Sequence, residues 1–182
     1  DGYAIGGLSV GETKSKMYDI ASFTADCLPA DKPRYLMGVG APEDLFESVA
    51  VGIDMFDCVL PTRVARNGSL FTSKGRINIA GKRFRTMNEP IEADCDCYTC
   101  TNFTASYLSH LFRAKELLSY RLASIHNLRF ITNLMSNMRA AIQLGEFNDY
   151  KNRFLNQYSL TDESIRIDQK QKWLEMKNEH FS

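Results

Sequence analysis

The chain has 182 residues, 44% of them hydrophobic, enough for one substantial core or for a domain with a small subdomain. Its 22 Lys and Arg balance 22 Asp and Glu, so net charge neither favours nor excludes a nucleic-acid partner. Placement says more: no acidic residue falls between Val59 and Asn88, while Arg63, Arg66, Lys74, Arg76, Lys82, Arg83 and Arg85 all do. A run of that kind is either a solvated basic loop or a phosphate-facing surface. No stretch reads as a secretory signal or approaches membrane-spanning length, and five cysteines without a paired register favour a reducing cytoplasm over a disulfide scaffold.

The opening Asp1-Gly2-Tyr3-Ala4-Ile5 reads as the end of a strand already under way, so the expectation is a piece of a larger protein. Gly6-Gly7-Leu8-Ser9-Val10-Gly11-Glu12 follows, with glycines that let a ligand approach the main chain closely. Met17, Ile20, Ala21 and Ala25 then recur at helical spacing over Lys14 to Ala25. Arg34 to Gly38 reads as a second strand. Gly38 and Gly40 imitate the start of a dinucleotide fingerprint, but no third glycine follows at the required spacing, and that reading is rejected. Pro42 suits the first turn of a helix through Ala50, with Glu43 and Asp44 at its positive end. Met55 to Leu60 reads as a third, nearly all-apolar strand. Strand and helix alternating at these intervals make the βαβ pattern of a parallel sheet, whose ligands gather at the strands' carboxyl ends.

Ser69–Thr72 and Arg76–Ala80, joined around Lys74-Gly75, read as a hairpin. The chain then reaches Cys95-Asp96-Cys97-Tyr98-Thr99-Cys100. Three thiols this close suit one tetrahedral Zn²⁺, with an imidazole as fourth ligand; three reduced, buried thiols are the alternative. His126 is preferred over His110, which lies inside an amphipathic helix, and over His180, near the chain end, because it sits near a helix start. Four protein ligands leave no open position, so the ion is structural. Helices are expected over Phe103–Leu118, over Leu122–Leu144 with a stripe of Leu128, Ile131, Leu134, Met135, Met138 and Ile142, and over Phe147–Tyr158. The polar tail from Ser159 is expected to carry a helix around Trp173.

Asp57 stands out. A carboxylate inside an apolar strand costs several kcal/mol to desolvate unless it is paired or at a polar site. At the strand's carboxyl end it faces the ligand mouth, as nucleophile or base, or else as a structural residue bonded to loop amides. Asp54 precedes the strand and reads as a turn residue.

Tyr3 to Glu12, Tyr35 to Gly40, Asp54 to Arg63, the cysteine cluster and His126, in this order and spacing, resemble bacterial tRNA-guanine transglycosylase, also called queuine tRNA-ribosyltransferase. The likeness covers residue 1 to about Tyr158 and implies the C-terminal part of a (β/α)₈ TIM barrel. It divides the chain into residues 1–66 (strands six to eight), 67–126 (hairpin and inserted zinc-binding subdomain), 127–158 (C-terminal helices) and the tail 159–182. The implied reaction replaces the wobble guanine of a tRNA anticodon by the 7-deazaguanine preQ1, by double displacement through a covalent ribosyl intermediate.

By the resemblance, Asp57 is the nucleophile. Gly7 and Leu8 hold the base's edge, with Glu12 behind them, and Met37 packs on the purine. Arg63 and Arg66 contact tRNA, and Val10 fits the bacterial substrate rather than bulkier queuine. Cys95, Cys97, Cys100 and His126 hold the zinc. Phe103, Tyr107, His110 and Leu111, with Glu116 close by, read as a core stripe on periodicity alone. The resemblance makes them a partly exposed homodimer face. The family's acid/base aspartate and its other purine-reading residues lie in the N-terminal half, so these residues alone are expected to be inactive. The other readings are a non-catalytic tRNA-binding subunit of the same fold and an archaeosine-type relative. Retention of Asp57 disfavours the first, and the Leu8-Ser9-Val10 pocket disfavours the second.

Overall fold

The computed structural model describes residues 1–160 of the chain, so the helix expected around Trp173 lies outside the described residues. Three short strands, β1 (Tyr3–Ile5), β2 (Arg34–Met37) and β3 (Met55–Asp57), form a parallel sheet in the order β1-β2-β3. Helices α1 (Lys14–Asp26) and α2 (Pro42–Ala50) connect them. The register sets Ile5 beside Leu36, Leu36 beside Phe56 and Met37 beside Asp57, so the three carboxyl ends lie side by side. Ile5, Met17, Ala21, Ala25, Leu36, Val39 and Ile53 close a core between sheet and α1.

α1 starts where Thr13 caps it, its side chain accepting from the Lys16 amide at 3.3 Å. α2 starts at Pro42, whose missing N–H costs nothing in a first turn. Its Glu43 and Asp44 are buried against Lys14 of α1, whose Nζ lies 2.6 and 2.7 Å from them, and the Tyr18 hydroxyl donates to Asp44 at 2.6 Å. Burial pushes the Asp44 carboxyl up and the Lys14 contacts oppose the shift.

The third strand is shorter than its apolar run suggests. It ends at Asp57, because Val59 is already helical and Pro61 opens α3 (Leu60–Arg66). Arg63 and Arg66 therefore project from a helix and are both exposed. Among the described residues β3 pairs on one side only, with β2, and Met55 and Asp57 are exposed there. Asp54 directly precedes β3, and rather than closing a turn its carboxylate accepts from the Arg34 amide at the start of β2 at 2.8 Å.

Beyond α3 come the antiparallel β4 (Ser69–Thr72) and β5 (Gly75–Asn78), then a 3₁₀ turn over Lys82–Thr86 and α4 (Tyr98–Asn102). α5 (Ala105–Ala114), α6 (Leu117–Leu144) and α7 (Phe147–Gln157) complete the described chain. The helix break falls earlier than the expected Leu118–Leu122, at Lys115, which turns left-handed (φ 59°) without being glycine. His126 consequently lies well inside α6 rather than at its start.

One half of α6 packs with Leu70, Ile79, Phe84, Leu108 and Leu111. Its other half, through Leu134 and Met138, packs with Leu45 and Phe46 of α2 and Phe154 of α7. α7 is fixed on α2 by the Phe46 ring, 4.8 Å from Phe154, and by a 2.6 Å Lys151–Glu47 ion pair. The expected α6 stripe is only partly core. Leu128 and Ile142 remain exposed, over a cavity of about 680 Å³ bounded on its other side by Phe56 and Asp57. No helix among the described residues is long and apolar enough to cross a membrane.

Candidate active site and metal centre

The carboxyl ends of the strands gather most of the residues singled out in the sequence. Asp57 ends β3 and is exposed. Its Oδ1 accepts the Tyr35 hydroxyl at 2.6 Å and the Gly38 amide at 3.1 Å. Tyr35 lies on β2, two residues before Met37, and Gly38 follows Met37 with φ +77°, a left-handed turn that glycine enters without steric cost. The Tyr35 hydrogen bond first, then the Gly38 amide, holds the Asp57 carboxyl below the usual carboxylate range. Asp57 is thus ionised at neutral pH, accessible, and aimed by two donors. Neither donor was identified from sequence, because each reaches Asp57 through the β2–β3 register.

Met37 is 45% exposed beside Asp57, and its sulfur comes so close to Gly6 that a Cβ there would lie 3.3 Å away. Gly40 makes a tighter approach: a Cβ would stand 2.4 Å from that of Cys58. Across the mouth, Gly7 (φ +78°) is exposed and Leu8 half-buried. The Glu12 carboxylate folds back to accept the amides of Ser9, of Val10 at 3.2 Å and of Gly11 at 3.1 Å. Slight desolvation raises its pKa, but these amides outweigh it and hold the carboxyl low. Glu12 therefore locks the loop that follows the Gly7–Leu8 peptide, with Ser9 itself left-handed at φ 61°.

The second centre is assembled from the loop before α4, from α4 itself and from α6. Cys95, Cys97, Cys100 and His126 place their ligand atoms within 4.8 Å of one another. His126 Nδ1 lies 3.8, 3.6 and 3.4 Å from the three sulfurs. Tetrahedral Zn²⁺, with bonds of about 2.3 Å to sulfur and 2.0 Å to nitrogen, sets such ligands roughly 3.5 Å apart. His126 Nε2 donates to the Phe71 carbonyl at 2.8 Å, which leaves Nδ1 facing the thiols as ligand. His126 is fully buried, and Cys97 and Cys100 are buried with it. The four residues fit a closed, structural zinc site.

That site is fastened on several sides. Cys97 caps α4, its sulfur accepting from the Cys100 amide at 3.3 Å, and Thr99 donates to the Leu122 carbonyl of α6 at 2.7 Å. Arg129 of α6 grips the Asp96 carboxylate through two nitrogens. Next to His126, the fully buried Asn127 joins three segments. Its Nδ2 donates to Pro61 O at 2.9 Å and Ser69 O at 3.0 Å, while its Oδ1 accepts from Phe71 N at 3.0 Å. One helix thereby holds the metal ligand, the hairpin and the start of α3.

Next to the metal ligands, Phe103 and Tyr107 stack with ring centres 5.4 Å apart, and Tyr98, between Cys97 and Cys100 in the chain, meets Phe103 edge-on at 5.7 Å. Tyr107, His110 and Glu116 are exposed and Phe103 half-buried, but Leu111 turns inward and is buried in the core. Leu111 therefore cannot share an exposed face with the others. Its spacing from Tyr107 and Leu108 carries it round α5 towards α6.

Residues 1–160 match the family described as queuine tRNA-ribosyltransferase. Relatives with that name are 57% identical over 173 residues in Dehalococcoides mccartyi strain BAV1, 54% over 172 residues in Dictyoglomus turgidum and 54% over 165 residues in Helicobacter hepaticus. These alignments cover 95%, 94% and 91% of the chain but only 44%, 44% and 42% of the relatives, so the chain spans less than half their length. With a match running through both the strand mouth and the Cys₃His site, the chain belongs to the queuine tRNA-ribosyltransferase family.

Proposed function

We propose that the full-length protein exchanges the wobble guanine of a tRNA anticodon for preQ1, with Asp57 as the nucleophile. The observation that carries this reading is an accessible, ionised carboxylate held by Tyr35 and Gly38 at the carboxyl ends of three parallel strands. The guanine must first leave its stack to reach such a group, so the anticodon base is flipped out. An Asp57 oxygen attacks the ribose anomeric carbon as the bond to guanine N9 breaks, and the family's acid/base aspartate in the N-terminal half supplies the proton guanine needs. The incoming 7-deazaguanine, deprotonated by that same aspartate, then displaces the Asp57 ester. Two displacements at one carbon retain its configuration, as in retaining glycosidases.

The remaining roles follow from position. Gly7 and Leu8 present main-chain groups to the base's edge, Glu12 stiffens their loop, and Met37 packs against the purine. Arg63 and Arg66 meet tRNA phosphates from α3. Cys95, Cys97, Cys100 and His126 hold zinc that braces the lobe behind that helix.

In the architecture we propose, residues 1–66 supply barrel strands six to eight of a TIM barrel. Residues 67–126 form the hairpin and zinc subdomain, residues 127–158 the C-terminal helices, and residues 159–182 a tail. Phe103, Tyr107, His110 and Glu116 form a homodimer face, and the protein works in the cytoplasm.

The test is radiolabelled guanine incorporation into tRNA by the full-length protein. Asp57→Asn lowers incorporation by about a thousandfold or more while tRNA still binds. Undiminished labelling in the variant contradicts the mechanism. A wild-type protein that binds tRNA but never labels it is a non-catalytic subunit.

A further inference from the structure

A second cavity, of about 560 Å³, opens beside the strand mouth and is lined by Gly38 to Ala41, Cys58, Arg63 of α3 and Arg76 of β5. Arg76 is exposed, yet its guanidinium is anchored. Nε and Nη2 both donate to Ser69 Oγ, at 3.1 and 3.0 Å, and the group lies 5.9 Å from the centre of the Phe71 ring, its cross-strand partner. Both anchors are neutral, so neither cancels its charge. Among the described residues no carboxylate comes within ion-pair distance of Arg76 or Arg63. The carboxylates that share the cavity, Glu43 and Asp44, are buried against Lys14. Three cations (Lys14, Arg63, Arg76) against two anions leave the lining one charge positive.

We propose that Arg76 is a further phosphate contact, gripping an RNA phosphodiester beside the one met by Arg63, so that the β4–β5 hairpin belongs to the nucleic-acid face. The inference rests on the tRNA-exchange reading. A guanidinium already oriented by a hydroxyl and an aromatic face loses little freedom on binding, and its unused N–H groups match a phosphate's oxygens.

The test is tRNA binding by the full-length protein across a salt titration, for wild type, Arg76→Gln and Arg76→Lys, with thermal melting alongside. Arg76→Gln is expected to weaken binding about tenfold at low salt. It also makes the log–log salt slope shallower by about 0.7, the value for one phosphate of a single strand. Arg76→Lys restores the slope, and melting is unchanged in both. A wild-type slope in Arg76→Gln overturns the proposal, as does weaker binding accompanied by a lower melting temperature and an unchanged slope, which is the mark of a purely structural residue. If the wild-type protein neither binds tRNA nor exchanges its guanine, the tRNA reading itself falls and this inference with it.

Discussion

Asn127 offers the sharpest test of how the metal lobe is joined to the strand mouth. Asn127→Ala removes three hydrogen bonds at once, to Pro61 O, Ser69 O and Phe71 N. Each bond contributes about 1 kcal/mol net, and a buried donor left bare costs about 1–3 kcal/mol. Phe71 is fully buried, so water cannot replace the lost partner without opening the hairpin. The expected loss is about 3 kcal/mol. With a urea dependence of about 3 kcal/mol per molar, the unfolding midpoint falls by about 1 M. Asn127→Asp keeps the side chain's shape and its acceptor, yet points a carboxylate at two carbonyls, and it destabilises by a comparable amount. Urea unfolding of the zinc-loaded full-length protein, followed by circular dichroism, reads both variants. Midpoints within about 0.2 M of wild type would show that the junction rests on apolar packing alone and that Asn127 is incidental.

Chelating zinc should first release the segment from Cys95 to about Tyr158, seen as early hydrogen exchange there while Leu36 and Val39 stay protected; simultaneous loss everywhere would mean the lobe has no separate stability. Replacing Arg63 and Arg66 by Ala should weaken tRNA binding and make its salt slope shallower by about 1.4 for the pair, and an unchanged slope would remove both from the phosphate face. Because Tyr35 lowers the Asp57 pKa, the carboxylate persists below the usual carboxylate range and is lost as pH falls through that lowered value. Tyr35→Phe should therefore move the acid limb of ribosyl-adduct formation to higher pH. A limb that stays put, or moves lower, would mean the hydroxyl does not tune the nucleophile.

Much of this arrangement was legible in the residues themselves. Short apolar segments with glycine exits announced the parallel strands, Pro42 marked the start of α2, and the cysteine spacing announced the metal site. Where legibility failed, the cause was either a local break in a continuing pattern or contact between distant segments. The Cys58-Val59-Leu60 run continues the apolar pattern of β3, but Pro61 ends that strand by opening a helix. Lys115 breaks α5 from α6 in a left-handed turn with no glycine to signal it. The donors on Asp57 come from the neighbouring strand, and Lys14 finds Glu43 and Asp44 across 29 and 30 residues of chain. Leu111 has the periodicity of a core stripe, and its burial in the core agrees with that reading rather than with the exposed face implied by the resemblance.

The measurement that reaches the central claim most directly is peptide mapping of the covalent ribosyl-enzyme. The full-length protein would be quenched with acid during turnover on a minimal anticodon stem-loop. The account places the adduct on the peptide carrying Asp57, and its absence from Asp57→Asn completes the assignment. An adduct on any other side chain, or turnover with inversion at the anomeric carbon, would contradict it.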